Sequence, residues 1–345
     1  MKAAIIGATG YGGSELIRLL YSHPNVTLQS FHSSSQHGQP VMASYPHMQG
    51  MIGDDLEDID PERMAQDVDV VFIATPAGVS TELVPEFMKH DTKVIDVSGD
   101  FRLKDTDTYE RWYHKTAPDQ NYVNQAVYGL TEWLDTDIKG TQLLSNPGCY
   151  PTAALLGLAP LVKEKRIDPN SIIIDAKTGV SGAGRKVSAA SHFTETNDNL
   201  KIYKVLEHQH TPEIEMMLDA WSETKTAITF STHLIPMTRG IMTTIYADAP
   251  DGMTARELFD LYQESYKDTY FVRVRKQGEY PTTKDVYGSN FCDISLSYDE
   301  RTNRIMIVSV IDNLVKGAAG QAVQNMNRMF GLEETAGLDT MPMYP

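Results

Sequence analysis

The first half of the chain alternates short apolar runs with segments whose apolar residues recur at helical spacing. The first helical segment is marked by Leu16, Ile17, Leu19 and Leu20 on one side. Strands that alternate with helices predict a mainly parallel sheet that is covered on both faces. The predicted strands are Lys2–Ile6, Val26–Phe31, Val68–Ala74, Lys93–Val97 and Leu143–Ser145, with a further helix over Val79–Met88.

The pattern changes after residue 149, where strand-like runs follow one another with fewer helices between them. This arrangement predicts a second sheet that is more antiparallel than the first. Its predicted strands are Ser171–Ala176, Ala227–Ile235, Ile241–Ala247, Phe271–Arg275, Asp293–Tyr298 and Arg304–Ile311, and a helix is predicted over Glu257–Tyr266.

A long helix is predicted over Leu314–Phe330, with Asp312 or Asn313 as the cap at its start and Gly331 at its end. We expect it to pack back on the first domain. The predicted fold is α/β: a Rossmann dinucleotide-binding domain formed by residues 1–148 and 312–345, and an inserted α+β domain formed by residues 149–311.

Composition narrows the possible functions. The net charge of −16 carries no compensating basic stripe, which argues against a nucleic-acid partner. The two cysteines form no disulfide framework and no zinc motif, so we expect no metal and a reducing cytoplasm. No apolar stretch reaches the length of about 18 residues that a membrane span needs, so we expect no membrane association.

The turn after the first strand carries glycines at Gly7, Gly10 and Gly13, directly before the first helix. Glycines at this place let the backbone approach a pyrophosphate, which then lies on the helix N-terminus. The βαβ context favours a dinucleotide site over a plain strand–helix turn. The second strand is followed by Ser33, Ser34 and Ser35, with no acidic residue for a ribose diol, which favours NADP over NAD.

Cys149 lies in the segment NPGCYPT, immediately before a long apolar run. Glycine and two prolines place this thiol at the predicted start of a helix, where the partial positive charge favours a thiolate. A thiolate attacks an activated acyl carbon, and the resulting thioester accepts a hydride from a reduced nicotinamide. The alternative is a buried, unreactive cysteine, which is our interpretation of Cys292.

This chemistry also needs a proton donor and cations. His208 and His210 in the segment EHQHTPE are the candidates for the general acid/base. Arg102, Arg185 and Arg239 are the candidates for holding a substrate phosphate, although each is equally compatible with a surface ion pair. The segment TGVSGAGR, which ends at Arg185, is also predicted to present backbone N–H groups to an anion.

Together these residues resemble the N-acetyl-γ-glutamyl-phosphate reductase family of arginine biosynthesis. The resemblance covers essentially the whole chain and is carried by GATGYGGSELIRLL, VIDVSGDFRL, VYGLTE, NPGCYPTAA, KTGVSGAGR, HQHTPEI, HLIPMTRGI and DNLVKGAAGQAVQNMN. It implies NADP(H), an acyl-phosphate substrate and a fold like that of aspartate-semialdehyde and glyceraldehyde-3-phosphate dehydrogenases. It also implies a homodimer or homotetramer.

Carried over by position, the resemblance makes Cys149 the acyl-enzyme thiol. His210 is the favoured acid/base, and His208 is the alternative. The family's His-Arg-His and Ser-Arg-Ser are replaced by His208-Gln209-His210 and Ser33-Ser34-Ser35. Implied substrate-binding residues are Arg102, Ser181, Arg185 and Arg239, and implied cofactor-binding residues are Gly7, Thr9, Gly10, Tyr11, Gly12, Gly13, Ser33, Ser34, Ser35, Thr75, Pro76, Ser98, Gly182 and Asn313.

Two alternatives stay open on the sequence alone. One is a reductase of another acyl phosphate, such as aspartate-semialdehyde dehydrogenase, which differs only in its substrate. The other is a non-catalytic NADP-binding redox sensor that uses Cys149 as its switch.

Overall fold

The computed structural model describes the backbone of residues 1–345 and every side chain except that of Ala190. The chain forms two compact units. The first comprises residues 1–147 and 318–339, and the second comprises residues 148–317 and 340–345. The domain bounds given by the sequence, at 148/149 and 311/312, stay a prediction.

The first unit contains one parallel sheet. Its strands follow the spatial order β3-β2-β1-β4-β5-β7-β6, and every described pairing between them is parallel. The strands are β1 (Lys2–Ile6), β2 (Thr27–His32), β3 (Leu56–Glu57), β4 (Val70–Ile73), β5 (Lys93–Asp96), β6 (Val127–Tyr128) and β7 (Leu143–Ser145). The α-helices of its first segment are α1 (Tyr11–Tyr21), α2 (Val41–Ser44), α3 (Pro61–Asp67), α4 (Ser80–Phe87), α5 (Thr106–Tyr113) and α6 (Gln120–Gln125).

The parallel sheet predicted from the apolar runs is therefore confirmed. The continuous apolar run of β4 has all four residues buried, as expected for a strand covered on both faces. The strand order reverses direction between β1 and β4, and ligands of open α/β sheets bind at the carboxyl ends of strands at such a point. The short strands β3 and β6 were not predicted, because two residues carry no periodicity.

The second unit contains a mixed sheet in the order β12-β13-β14-β11-β8-β10-β9. Its elements are α7 (Cys149–Lys163), β8 (Ile173–Thr178), α8 (Phe193–Thr196), β9 (Lys201–Tyr203), α9 (Thr211–Ser222), β10 (Thr229–Leu234), β11 (Ile241–Asp248), α10 (Ala255–Tyr266), β12 (Val272–Val274), β13 (Cys292–Asp299) and β14 (Arg304–Ile311). The prediction of a sheet more antiparallel than the first is confirmed, because β9–β10, β8–β11, β11–β14 and β13–β14 pair antiparallel, whereas β8–β10 and β12–β13 pair in parallel. Residue patterns report burial and not strand direction.

The predicted C-terminal helix is interrupted. Residues Val315–Ala319 form a π-helical segment, and the α-helix α11 begins only at Gly320 and ends at Met329. The Asp312 carboxylate accepts the backbone N–H groups of Leu314 and Val315, so Asp312 is the side-chain cap. As expected, α11 packs in the first unit, against α1, and Gly331 follows its end with φ of 66°.

No helix among the described residues is both long enough and apolar enough to cross a membrane.

Candidate active site

Cys149 is the first residue of α7, as predicted. Gly148 is the N-cap residue in extended conformation, and its carbonyl accepts both the backbone N–H (2.9 Å) and the hydroxyl (3.0 Å) of Thr152. The other side of Cys149 is closed by Gly317, where a Cβ atom would lie 2.7 Å from the Cβ of Cys149. The thiol is half-buried at a helix N-terminus, where unpaired N–H groups favour a negative charge.

Glu213 fixes the backbone in front of this cysteine. Its Oε1 accepts the backbone N–H of Gly148 at 2.8 Å, and the whole residue is buried. Glu213 lies in the first turn of α9, which packs against α7. A charge-assisted hydrogen bond of this kind is about twice as strong as a neutral one. The starts of two helices are thereby tied together at the residue that precedes the thiol.

The two histidines occupy the turn before α9. His208 and His210 are both buried, with ring centroids 4.8 Å apart. His208 Nδ1 accepts the backbone N–H of His210 at 3.1 Å. Burial, with a smaller contribution from the Lys204 ammonium, lowers the pKa of His208 to about 3. His208 is therefore a neutral ring that shapes the turn.

Aromatic side chains connect this turn with the cysteine helix. The ring of Tyr150, which follows Cys149, lies 5.4 Å from the His208 ring and 6.1 Å from the His210 ring. The Tyr203 phenol donates to the Tyr150 oxygen at 3.2 Å. Burial, and then the neighbouring Tyr203, raise the pKa of Tyr150 above its usual range, so the pair stays uncharged. An edge-to-face packed aromatic cluster of this kind holds His210 in a fixed place beside α7.

Two predicted substrate-binding residues of the second unit, Arg239 and Ser181, lie near two predicted cofactor-binding residues, Asn313 and Gly182. Arg239 Nε is 3.2 Å from the fully buried Oδ2 of Asp312, and only 12% of the Arg239 side chain is exposed. Asn313 Oδ1 accepts the backbone N–H of Gly240 at 2.8 Å, and its Nδ2 donates to Ser181 Oγ at 3.0 Å. Gly182 follows in the same turn. Arg239, Asn313, Ser181 and Gly182 therefore belong to one packed group of loops.

Five backbone amides of the segment TGVSGAGR donate to carbonyls of the protein and so do not face an anion. The N–H groups of Gly179, Val180 and Ser181 donate to the carbonyls of residues 240, 237 and 238. Those of Gly182 and Gly184 donate within the turn itself. These amides are occupied, so the nest hypothesis is wrong for them. Arg185 is exposed at the end of this segment.

Arg102 has a mainly structural environment in the first unit. It is 5% exposed, and its guanidinium donates to the carbonyls of Asn146 (2.7 Å) and Val97 (3.1 Å). Its predicted role in phosphate binding stays a prediction. Ser98, expected to bind cofactor, donates its hydroxyl to Asp96 at 2.6 Å and lies 2.8 Å from the Ser80 hydroxyl. Its expected contact with the cofactor stays a prediction.

The glycine turn has the geometry that a dinucleotide needs. Gly7 has φ of 86°, and a Cβ atom there would lie 2.3 Å from the carbonyl oxygen of Ala74. A Cβ atom on Gly13 would lie 2.3 Å from the carbonyl oxygen of Gly7. Gly10 and Gly12 are not crowded in this way, with nearest atoms at 3.4 and 3.9 Å. Gly7 and Gly13 thus allow close packing of the turn, whereas Gly10 and Gly12 leave its outer face open to a ligand.

Other predicted cofactor residues surround this turn. Thr75 follows β4, and its buried hydroxyl has no hydrogen-bond partner among the described residues. The turn itself carries Thr9 and Tyr11. Pro76 is exposed beyond β4, and Ser33 is buried whereas Ser34 and Ser35 are exposed beyond β2. All these residues follow the carboxyl ends of β1, β2 and β4, on both sides of the point where the strand order reverses.

Sequence reasoning missed Glu213, Tyr203 and Asp312 as parts of this site. An acidic residue in the first turn of a helix is common, so Glu213 gave no distinctive signal. Its role depends on contact with a residue 65 positions earlier. Among the described residues, no group of three or more His, Cys, Asp or Glu side chains is arranged to hold a metal ion.

Comparison with known proteins first defines the class. The model for the semialdehyde dehydrogenase NAD-binding domain matches residues 2–141, and that for the semialdehyde dehydrogenase dimerisation domain matches residues 149–313. Among solved structures, Vibrio cholerae aspartate semialdehyde dehydrogenase II complexed with ASA superposes with TM-score 0.70 at 15% identity, covering 95% of this chain and 97% of that one. The Candida albicans enzyme with NADP gives TM-score 0.68 at 15% identity, covering 97% and 98%. The chain thus has the fold of the semialdehyde dehydrogenase class, and the dimerisation model indicates an oligomer.

Full-length relatives narrow the class further. This chain is 61% identical to the N-acetyl-gamma-glutamyl-phosphate reductase of Geobacillus sp. (strain WCH70) and 54% identical to that of Bacillus subtilis (strain 168), in both cases over 345 residues. Each alignment covers 100% of this chain and 100% of the relative. The chain belongs to the N-acetyl-gamma-glutamyl-phosphate reductase family, which confirms the resemblance carried by its motifs.

Proposed function

We propose that this protein uses NADPH to reduce N-acetyl-γ-glutamyl phosphate to N-acetylglutamate 5-semialdehyde and phosphate, a step of arginine biosynthesis. Family membership supports the substrate and the reaction. The structural observation that carries the proposal is Cys149 at the first position of α7, with its preceding residue held by the buried Glu213.

The first chemical step uses the Cys149 thiolate. The sulfur attacks the acyl carbon, the bond between that carbon and the phosphate oxygen breaks, and inorganic phosphate leaves. The thiolate has its position at the helix N-terminus fixed by the Gly148 turn and by close packing against Gly317. A fixed nucleophile lowers the barrier because little orientational freedom is lost during the attack.

The second step converts the thioester to the aldehyde. NADPH, when bound, supplies the hydride for this reduction. His210 donates a proton to the carbonyl oxygen and takes it back as the tetrahedral adduct collapses, which releases the aldehyde and restores the thiolate. We assign this role to His210 because His208, with its pKa lowered to about 3, does not exchange a proton near neutral pH.

The residues at the glycine turn fit a dinucleotide. The uncrowded positions Gly10 and Gly12, the helix N-terminus of α1 and the hydroxyl of Thr75 lie at the carboxyl ends of β1 and β4. The absence of an acid among Ser33, Ser34 and Ser35 supports NADP over NAD.

Arg239 is the first candidate for holding the substrate's phosphate, together with Ser181. Its guanidinium is mostly buried, and its Nε lies beside the Asp312 carboxylate, which orients the planar group. Arg185 and Arg102 remain secondary candidates. We further propose that the protein is a homodimer or homotetramer, which the dimerisation model supports. We also propose that it is cytoplasmic, because neither of its two cysteines is in a disulfide.

The reverse reaction tests the proposed function. Purified protein is given N-acetylglutamate 5-semialdehyde, inorganic phosphate and NADP, and NADPH formation is followed by absorbance. We expect phosphate-dependent turnover with NADP, slower turnover with NAD, and at least about a hundredfold lower kcat/KM for aspartate semialdehyde. Preference for aspartate semialdehyde would overturn the substrate assignment. Reversible oxidation of Cys149 with no turnover of either aldehyde would favour the redox sensor.

A further inference from the structure

The segment between Gln36 and Leu56 was not assigned a role by the sequence, yet it packs on the glycine turn. It contains α2 and a short 3-10 helix over Pro46–Met48, and Tyr45 lies between them. Tyr45 is 8% exposed, with its hydroxyl directed at the turn backbone. The phenol donates to the carbonyl oxygens of Thr9 (2.8 Å) and Gly10 (3.0 Å).

These two carbonyls are the part of the turn least suited to an anion. A pyrophosphate is attracted to backbone N–H groups and repelled by carbonyl oxygens. Gly10 lies at the N-cap of α1, where its carbonyl also accepts the N–H of Ser14 at 2.9 Å. A hydroxyl that binds both carbonyls fixes their direction and withdraws part of their negative charge. The peptide between Gly10 and Tyr11 then directs its N–H to the opposite side, whereas the Gly10 N–H of the preceding peptide donates to Gly7 within the turn.

The same segment also reaches the loop after β2. Ser44, next to Tyr45, donates its hydroxyl to Gln36 Oε1 at 2.8 Å. Gln36 directly follows Ser33–Ser35, where the absent acidic residue favours an adenosine 2′-phosphate. The segment thus contacts the backbone of the pyrophosphate turn through Tyr45 and the adenosine loop through Ser44.

We infer that Tyr45 is a positioning residue for the pyrophosphate of NADPH, acting through the carbonyls of Thr9 and Gly10. This inference rests on the proposed binding of the cofactor at the glycine turn. Tyr45 itself is not a catalytic residue, because its hydroxyl donates hydrogen bonds to backbone carbonyls of the protein and not to the substrate or the cofactor. Its effect is on the affinity for the dinucleotide and not on the chemistry at Cys149.

The test is Tyr45→Phe in the full-length protein, which removes one oxygen and keeps the buried ring. We expect the Kd for NADPH to rise about tenfold, the value for one lost hydrogen bond of this type. We expect kcat and the KM for N-acetylglutamate 5-semialdehyde to change less than about twofold. Tyr21→Phe, which removes a half-exposed hydroxyl from α1, is the matched control and leaves the Kd unchanged.

A second ligand separates positioning from general weakening of the unit. Adenosine 2′-monophosphate carries the adenosine end of NADP without the pyrophosphate, so its Kd is expected to be the same for Tyr45→Phe and the parent. Equal losses for this ligand and NADPH, or an unchanged Kd for NADPH, would overturn the inference. Failure of the parent protein to bind NADPH would instead reject the proposed cofactor, and with it the ligand that Tyr45 is inferred to position.

Discussion

Two helices of this protein start in nearly the same way. Both α1 and α7 have a glycine N-cap in extended conformation, Gly10 with φ −81° and ψ 165° and Gly148 with φ −70° and ψ 157°. Neither has an acidic residue in its first turn. In each case the helix start is left available for a negative charge, which is the proposed cofactor phosphate at α1 and the proposed thiolate at α7.

The two starts differ in what holds them. The amide of Gly10 donates to Gly7 within the same turn, whereas the amide of Gly148 donates to Glu213 on another helix. After its first residue, α7 is buried from Tyr150 to Val162, whereas α1 keeps an exposed side. A ligand that enters and leaves needs an open helix start. A nucleophile that forms and breaks a bond needs one that is held from several sides.

The largest effect that is confined to one of the two helix starts is expected from Cys149→Ala, which changes α7 and leaves α1 as it is. Removing the sulfur removes the acyl-enzyme, so turnover is expected to fall by at least about a thousandfold. The Kd for NADPH stays unchanged, because the α1 turn is untouched. Steady-state assays and cofactor titration by fluorescence measure the two quantities. Residual turnover above about a tenth of the parent would reject Cys149 as the nucleophile.

Gly13→Ala is the corresponding change at the start of α1. Its Cβ would lie 2.3 Å from the carbonyl oxygen of Gly7 and 2.7 Å from Ala8 Cα, so backbone must shift. We expect lower thermal stability and at least tenfold weaker NADPH binding, roughly the effect of a displaced pyrophosphate contact. Alkylation of Cys149 by iodoacetamide is expected to keep the parent rate.

Gly12→Ala separates an effect on NADPH binding from an effect on thermal stability. The new Cβ has only one described neighbour within 4 Å, the Cβ of Ala74 at 3.9 Å, so thermal stability is expected to match the parent. Weaker NADPH binding without a loss of stability would show that the cofactor passes over this position. Gly140→Ala, with open space around its Cβ, is the control. Unchanged binding in Gly12→Ala would place the pyrophosphate elsewhere.

The contrast between the two starts also explains what sequence reasoning could find. Gly7, Gly10 and Gly13 belong to one local motif, and Cys149 is flanked by Gly148 and Pro151, so both helix starts were predicted. The cap at Asp312 could also be predicted, because Asp312 lies close in sequence to the helix that it caps. The bond from Gly148 to Glu213 and those from Tyr45 to Thr9 and Gly10 depend on segments that meet only in the folded chain. Arg102 was predicted as a candidate phosphate ligand at a strand end, and the sequence does not show that its guanidinium also donates to two backbone carbonyls.

A smaller effect is expected at Glu213. Glu213→Ala removes the acceptor of the Gly148 amide and is expected to lower kcat about 10- to 100-fold, the range for one charge-assisted hydrogen bond. Glu213→Gln keeps an acceptor oxygen and is expected to recover most of the loss. Cys149 alkylation rates should follow the same order, whereas the Kd for NADPH stays constant. Glu223→Ala, exposed at the other end of α9, is the control, and equal losses in the Gln and Ala variants would contradict a hydrogen-bonding role.

The smallest effect is expected at His208, and it distinguishes the role of His208 from that of His210. In the folded protein the pKa of His208 is lowered to about 3 from a usual value of 6.5. Between these values the unfolded chain binds more protons, so the stability contributed by the neutral ring is complete above about pH 6.5 and is lost as the pH falls toward 3. The slope is roughly 1 kcal/mol per pH unit.

His208→Asn tests this assignment, because the amide oxygen can still accept the His210 N–H but does not titrate. Urea unfolding at about pH 7.5, 6 and 5 is expected to show a shallower loss of stability for the variant than for the parent. Its kcat near neutral pH should stay within about tenfold of the parent, whereas His210→Asn loses at least about a hundredfold. His47→Asn, at an exposed position, is the control for the pH slope. A parallel slope in parent and His208→Asn, together with a larger loss of kcat than in His210→Asn, would reverse the roles of the two rings.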